Sequence, residues 1–580
     1  MSDRPSMDVD IVCVGFGPAM GGFLHTIAPK LAEMETPPTV ICYERADGLG
    51  FGVSGVVTKA RGIRTSFPDL NPAQIPMAAP VIEEKLLYLL DPHGASRRYF
   101  AVRALDAMAR IAGAGATHAI ALPWIPGFLH KEGGLVLSIG QFNQWAGEQL
   151  MTAGAVQLWP GMPVSDPLIE REAVVGVRLA DQCGEPGMDI RAALTVVADG
   201  PVGPVGRRLD QHFGVPPGFA SNDWALGSKI VVELPDNTSL EPGTVFHTIG
   251  FPEPDIFGFL YVHPGNLASV GIFVPSWFDN PARTSYRYLQ HYVMHPFLWQ
   301  YLNGGKLRSW GAKSLQESGR RGEPWLAGNG YARIGEGSGT TNVLTGSGVD
   351  EAWTTGIQLG EGVLELIREN APYTRENLER AYVQRRRASW LAQESRVAEN
   401  ARNGFQRGFL TGLAGMALAG MTRGKITVHA RPVPSQDRVQ PVEKYFGGRI
   451  PLAEIEQIDS QCRSDGVPLH DRLMDRLGWP SIPYDGELLM SHQDALLVGG
   501  KVQGTPGFHD HVSFIDPDLC LLCHRRICVE MCSGEAIAAS KENGAPAFDR
   551  EKCVHCGACL WNCDNIEFAA GGGGLHSVEN

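Results

Sequence analysis

The first apolar run, Asp8-Val-Asp-Ile-Val-Cys-Val, stops at Gly15-Phe-Gly17-Pro18-Ala19-Met20-Gly21-Gly22 and resumes as a helix-compatible stretch to Met34. Strand, glycine turn and helix in that order predict a dinucleotide-binding βαβ entry. A second β-branched run, Thr39 to Tyr43, predicts the next strand and ends at Glu44-Arg45. The pattern returns twice. Ala193 to Ala198 ends in Asp199-Gly200-Pro201, and Ala332 to Ile334 ends in Gly335-Glu336-Gly337-Ser338-Gly339, followed by Gly346-Ser-Gly348 and an amphipathic helix over about 350–367. Residues of about 220–320 instead alternate β-branched and aromatic positions with turns, which predicts an antiparallel sheet inserted into the βαβ part. Residues 426–450, with Pro432, Pro434 and Pro441, form a connection, and 451–511 a mostly irregular module.

The turn residues carry specific work. Gly15 permits the tight turn, Gly17 lets backbone approach a pyrophosphate, and the helix opening at Pro18-Ala19 offers N–H groups and a positive dipole end. Met20 stands where the fingerprint's third glycine belongs, with Gly21 one residue late, so helix and strand must approach by another route. Glu44 falls where a carboxylate accepts from ribose hydroxyls. Its alternative is an ordinary charge at a strand end.

Eight of the twelve cysteines lie between 520 and 563 in two matched groups. The first is Cys520, Cys523, Cys528 and Cys532; the second is Cys553, Cys556, Cys559 and Cys563. This is the spacing of a two-cluster bacterial ferredoxin, in which the fourth cysteine of each group ligates the other iron-sulfur cube. One cluster then takes Cys520, Cys523, Cys528 and Cys563, and the other Cys553, Cys556, Cys559 and Cys532. Ile515-Asp516 before one group matches Phe548-Asp549 before the other, as two halves about a pseudo-twofold would. Zinc gives no reason for a crossed fourth ligand, and disulfides suit short secreted chains. Two departures bear on the cluster count, at least one and two by the spacing: four residues separate Cys523 from Cys528, and Ser533 and Asp564 replace the usual prolines.

Length and charge narrow the class. A chain of 580 residues exceeds one core, and a formal charge of -13 argues against nucleic acid as a partner. Neither a Gly-x-Ser-x-Gly nucleophile motif nor a zinc-hydrolase motif occurs, so no catalytic residue is assigned. The polar start, Met1 to Asp10, lacks the order of an export signal, and the many thiols fit a reducing, cytoplasmic compartment. The 14 uncharged residues Gly408 to Met421 are too few to span a bilayer. They read equally as a buried helix or as a surface contact framed by Arg385, Arg386, Arg387, Arg402, Arg407, Arg423 and Lys425.

The recurrent pairing of glycine with acid at strand ends resembles FAD-binding two-domain flavoproteins. More specifically, Val136 to Trp145, Pro242 to Pro252, His295-Pro296, Gly304-Gly305-Lys306, Trp310 to Gly319, Cys553-Val-His555-Cys556 and Gly571 to Gly574 resemble the electron-transfer flavoprotein:ubiquinone oxidoreductase family. The resemblance implies an α/β plus α+β chain: a Rossmann-like FAD domain of glutathione-reductase type (8–90, 135–215, 325–400) and a quinone domain (91–134, 216–324). It further implies an apolar membrane-surface segment (401–430), a connecting module (431–511) and a ferredoxin-like domain (512–570). FAD would sit on Gly15, Gly17, Pro18, Ala19, Glu44, Arg45, Asp199, Gly200, Gly335, Glu336 and Gly348. Phe257, Phe259 and Tyr261 are candidates for the quinone cavity or for plain core. Electron-transfer flavoprotein, a membrane quinone and the inner face of the cytoplasmic membrane, if the source is bacterial, are the implied partners and place. The family generally carries one cluster, on the positions of Cys532, Cys553, Cys556 and Cys559. The added set leaves room for a ferredoxin or other iron-sulfur partner. Two other readings stand beside this one: a subunit of a larger soluble flavin/ferredoxin complex, and a flavin reductase resembling geranylgeranyl reductases.

Overall fold

A computed structural model describes residues 4–50, 55–430, 433–498, 510–540 and 544–570. Pro432 and Gly571 to Gly574 lie outside these residues. The first β-branched runs form the core of an eight-stranded sheet. Its parallel strands, in spatial order, are Tyr331–Arg333, Asp189–Val197, Ser6–Val14, Val40–Tyr43 and Gln157–Trp159. The chain reverses direction across the sheet beside Ser6–Val14, and that switch point opens a crevice at the carboxyl ends of the strands. All four predicted glycine and acid turns end there.

The missing third glycine is explained by helix packing. Gly21 and Gly22 face the Val349–Arg368 helix, and a Cβ on Gly22 would stand 2.2 Å from the Trp353 carbonyl oxygen. From the other side, a Cβ on Gly356 would stand 2.0 Å from the Ala19 oxygen. The Pro18–Leu31 helix therefore approaches a second helix, with glycine on both, where the fingerprint anticipates approach to a strand.

A seven-stranded sheet forms the second layer, in the order Lys306–Gln316, Trp224–Glu233, Leu267–Pro275, Phe257–His263, Thr244–Ile249, Glu83–Leu89, Ala119–Ala121. Its pairings are antiparallel except that between Thr244–Ile249 and Glu83–Leu89. Glu83–Leu89 thus corrects the expected boundary at residue 90: it joins this sheet because its apolar Leu87 and Leu89 complete the same core as Phe246 and Leu260.

The module expected to be irregular contains the helices Leu452–Asp465, Leu469–Arg476 and His492–Leu497. Short apolar spacing and intervening prolines hid them. The module joins the main core through Trp479, Leu488 and Leu496. In the cysteine region, Val512–Phe514 pairs with Ile566–Phe568 and Ile537–Ala538 with Ala547–Phe548, both antiparallel. Asp516 and Asp549 each accept from the N–H two residues on, at 3.0 Å, at the start of a cysteine turn. The two halves thus repeat in backbone as well as in sequence.

The 408–421 stretch forms the helix Phe409–Met421. Phe409, Gly412, Gly415 and Ala419 are buried, whereas Leu410, Leu418 and Met421 face outward. No helix among the described residues is long and apolar enough to cross a membrane. Much of the expected basic frame is engaged elsewhere: Arg385 pairs with Glu361 and Glu365, Arg386 and Arg387 with Glu323, and Arg402 with Glu317. Arg407, Arg423 and Lys425 remain exposed and enter no ion pair among the described residues.

Candidate cofactor cleft and cysteine centre

At the crevice two cavities of about 260 and 300 Å³ meet, sharing Gly17, Pro18, Ile139, Ala198, Gly200 and Lys313 in their walls. Gly15, Glu44, Arg45 and Asp199 line the first; Ala19, Gly335, Glu336 and Gly348 line the second. The eleven expected cofactor residues therefore face one continuous cleft. Gly15 has φ +82°, and a Cβ there would stand 2.8 Å from the Ala198 oxygen, so this turn requires glycine. At Gly17 and Gly200 a Cβ would meet nothing within 4 Å. Open space over bare backbone, at the N-terminus of the Pro18–Leu31 helix, fits a pyrophosphate. The Val349–Arg368 helix opens at Gly348 on the second cavity and offers its own N–H groups.

The acidic residues serve the protein as well as the cleft. Glu44 accepts from the backbone N–H of Phe16 at 2.7 Å and of Ala46 at 3.0 Å, which braces the glycine turn and leaves further lone pairs. Asp199 accepts from Gly206 N–H at 3.0 Å, and burial raises its pKa. Glu336 accepts from Gln316 N–H at 3.1 Å and lies 3.8 Å from Lys313, so it ties the late glycine loop to the second sheet.

The second sheet closes the inner end of the cleft. Lys229, Phe257, Phe259 and Phe273 line it, while Tyr261 is buried in the core. Burial lowers the Lys229 ammonium to a pKa of about 7, and the residue donates to Ser269 Oγ at 3.2 Å. Arg402, ion-paired with Glu317, lines the same end. Sequence reasoning missed Ile139, Gly140, Asn143, Lys229, Lys313 and Arg402 as lining residues. Ile139, Gly140 and Asn143 lie on the Ile139–Ala153 helix, outside the glycine turns, and for Lys229 and Lys313 strand alternation alone does not tell a cleft face from a core face.

The cysteines separate into two sets. Cys520, Cys523, Cys528 and Cys563 line one cavity, which no other cysteine lines. Cys532, Cys553, Cys556 and Cys559 form the other set: burial first, then neighbouring thiols, those of this set ahead of Cys528, raise Cys553 and Cys559, and Cys532 is pushed up to about 12 by burial and Cys556. Thiols this buried and this close keep their protons unless cations stand among them, which is the donor chemistry of an iron-sulfur cube. The eight cysteines of the two sets form no disulfide with one another.

The two sets differ in setting. The Cys553–Cys559 loop lies against the flavoprotein part: Cys556 C=O accepts from Ser314 N–H at 2.8 Å, and Trp561 Nε1 donates to Ser314 Oγ at 2.8 Å. Arg45, from the cleft, donates to His555 Nδ1. His511 Nε2 lies 3.2 Å from Cys553 Sγ, and its ring stacks on His555 at 4.0 Å. His511, Cys553 and His555 could by themselves hold a metal ion, but the Arg45 guanidinium against His555 places a fixed positive charge where a separate cation would sit. The other set faces outward, with Cys523 exposed among exposed Ile515, Leu519, Leu521 and Leu522.

A sheet with this switch point, a glycine-floored cleft and a second sheet over its end define the fold of the two-domain flavoproteins. A geranylgeranyl bacteriochlorophyll reductase-like protein from Thermoplasma acidophilum shares the fold, with a TM-score of 0.52 at 15% identity over 78% of this chain and 99% of that one. Residues 224–315, which hold most of the second sheet, match the family profile described as "ETF-QO, ubiquinone-binding". The electron transfer flavoprotein-ubiquinone oxidoreductase of Pseudomonas aeruginosa is 26% identical over 68% of this chain and 69% of its own length. A probable one from Acinetobacter baylyi is 28% identical over 63% of each chain, and the mitochondrial one of Rattus norvegicus 26% identical over 69% of this chain and 64% of its own. Through this profile and these relatives the chain is similar to the electron transfer flavoprotein-ubiquinone oxidoreductase family.

Proposed function

We propose that this chain binds FAD and two [4Fe-4S] clusters and carries electrons from reduced electron-transfer flavoprotein to a membrane quinone. The observation that carries the reading is the sorting of eight thiols into the two crossed sets, the inner one joined to the cleft through Arg45 and His555. Bound FAD supplies one- and two-electron chemistry and a cluster single-electron transfer, so the protein's own work is to hold them close, dry and correctly biased. Gly17, Gly200 and the two helix N-termini would hold the pyrophosphate and the ring system, and Glu44 the ribose. Val202 against Gly557 would seat the inner cluster loop on the flavin domain, and Trp561 on Ser314 ties it to the second sheet. The ferredoxin-like region, residues 512–570, thereby becomes the electron port.

Two helices are suited to contact a membrane. Phe100–Ile111 and Phe409–Met421 share a buried core through Val102, Ala109, Phe405 and Phe409. Their outward sides expose Phe100 (83%), Ile111 (88%) and Met421 (67%), beside Arg407, Arg423 and Lys425. Apolar residues edged by free cations are what a monotopic contact with anionic headgroups requires. The inner face of a cytoplasmic membrane is the place this implies for a bacterial chain.

The outward set with its apolar rim favours a second reading, a relay subunit that meets a ferredoxin or other iron-sulfur protein in a soluble complex. Purified protein separates the two. Iron and acid-labile sulfide of about eight each per FAD support two clusters, and Cys528→Ser brings both to about four. Reduction by electron-transfer flavoprotein followed by a soluble quinone must reoxidise the flavin faster than buffer does. No acceleration leaves the relay reading.

A further inference from the structure

A third cavity, of about 200 Å³, lies behind the cleft, and its walls contain a buried lysine and a buried glutamate, Lys131 and Glu351. Lys131 is 1% and Glu351 2% exposed. Thr345 stands between them: Lys131 Nζ donates to its carbonyl at 2.5 Å, and its Oγ1 lies 3.4 Å from Glu351 Oε1 and 3.3 Å from the Asn342 carbonyl oxygen, the two acceptors sharing one proton. Ser347 Oγ donates to Glu351 Oε2 at 3.1 Å. Asn342 and Ser347 line both this cavity and the inner end of the cleft, so the 342–348 loop is a shared wall with a hydroxyl in it. At the other end stand exposed Lys59 and the half-exposed pair Arg61 and Glu394, whose Nη1 to Oε1 distance is 2.7 Å.

We infer that this cavity is a proton-entry site, in which Glu351, supplied from the Lys59 and Glu394 mouth through Lys131, passes protons by way of Ser347 to the quinone end of the cleft. The inference rests on the quinone-reductase reading above. Quinone reduction forms two O–H bonds as the two carbonyl π bonds are lost and the ring becomes aromatic: quinone, two electrons and two protons give quinol. The electrons arrive through the cofactors, and the protons must come from water. The second sheet and the Asn342–Gly348 loop enclose the inner end of the cleft, so a buried route is needed, and this cavity carries titratable groups at its centre.

Proton affinity supports the assignment. Burial, then Asp350, raises Glu351 to a pKa of about 7, while Lys131 opposes the rise. Burial lowers Lys131 to about 8, with Glu351, Glu84 and Asp350 opposing and Lys59 assisting. The charged groups facing the pair are therefore Asp350 on the same helix, Lys59 and Arg61 on the 58–61 segment, Glu394 on the Trp390–Ala398 helix and Glu84 on the second sheet. Asp350 is itself held by Arg61 N–H and Gly62 N–H at 2.9 and 2.7 Å, which leaves Glu351 as the exchanging carboxyl. A carboxyl with a raised pKa is protonated below that value, so proton delivery falls as pH rises through about 7.

The holoenzyme carrying Glu351→Gln tests this. Ferricyanide, an acceptor of electrons alone, and a soluble quinone are compared as acceptors across pH. Quinone reduction drops on the order of 10²-fold and loses its inflection near pH 7, ferricyanide reduction is kept, and Glu351→Asp restores most of the quinone rate. Infrared difference spectra of flavin reduction supply a readout that needs no quinone: a protonated-carboxyl band shifts in the parent and is absent in Glu351→Gln. At the half-exposed mouth, Glu394→Gln slows quinone reduction alone. An unchanged pH profile and infrared band in Glu351→Gln, or equal loss with both acceptors, overturns the proposal. A parent protein that shows the infrared band but reduces no quinone overturns the quinone reading and leaves the proton site standing.

Discussion

His511 and Glu44 show how a single side chain acquires a role from what it touches. The imidazole of His511 is buried, and its Nε2 stands 3.2 Å from Cys553 Sγ, while the backbone N–H of His555 reaches the same sulfur at 3.4 Å. Hydrogen bonds to a cluster's sulfurs stabilise its reduced, more negative state and raise its potential. His511→Ala is therefore expected to lower the potential of the inner cluster and leave that of the outer one in place, as followed by redox titration with paramagnetic resonance. Equal potentials before and after would remove His511 from the electronics of the centre. The Cys-x2-Cys-x2-Cys spacing was readable from the sequence; His511, 42 residues from its sulfur, was not.

Among elements, the pairing of the Pro18–Leu31 and Val349–Arg368 helices positions both N-termini over the cleft. Gly22 admits that approach, because a Cβ there would collide with backbone rather than with a movable side chain. Gly22→Ala should lower stability by about 1–3 kcal/mol, the usual cost of overpacking, together with FAD retention. Thermal denaturation and flavin content after dialysis measure both. Ala at Gly154, where φ is +71° but a Cβ meets nothing, supplies the comparison of backbone strain without collision. The double glycine was visible as a displaced fingerprint; its partner helix, more than three hundred residues away, was not.

On the scale of the molecule, three parts meet around one core that joins the second sheet, the 452–498 helices and the inner cysteine loop. Glu530, in the cysteine region, accepts from Leu469 and His470 N–H at 3.0 and 3.1 Å, satisfying the start of the Leu469–Arg476 helix. Arg283 donates to Asn562 Oδ1 at 3.1 Å, and Trp224 stacks on Trp561 at 6.1 Å. The cysteine region is thereby fixed with its inner set toward the cleft and its outer set toward solvent. The outward helix faces belong to the same scale. Leu418→Glu with Met421→Glu should reduce sedimentation with anionic vesicles while soluble-quinone activity is kept, since both side chains are exposed. Undiminished vesicle binding would move the membrane contact elsewhere.

The glycine turns, the acid at the end of the second strand, the inserted sheet and the crossed cysteine order follow from local rules: φ requirements, strand alternation and ligand spacing act over a few residues and are written in consecutive positions. Which carboxylates are already bound, which arginines stay out of ion pairs and which cysteine set faces the cleft depend on contacts between segments far apart in the chain. Arg386 looked like part of a basic frame and is buried on Glu323 and Ser338. Lys131 and Glu351 carried no motif, and only the fold brings them, with Ser347 between, to the wall of the cleft. Burial and charge proximity set proton affinity and ion pairing, and both are properties of the folded neighbourhood rather than of the residue.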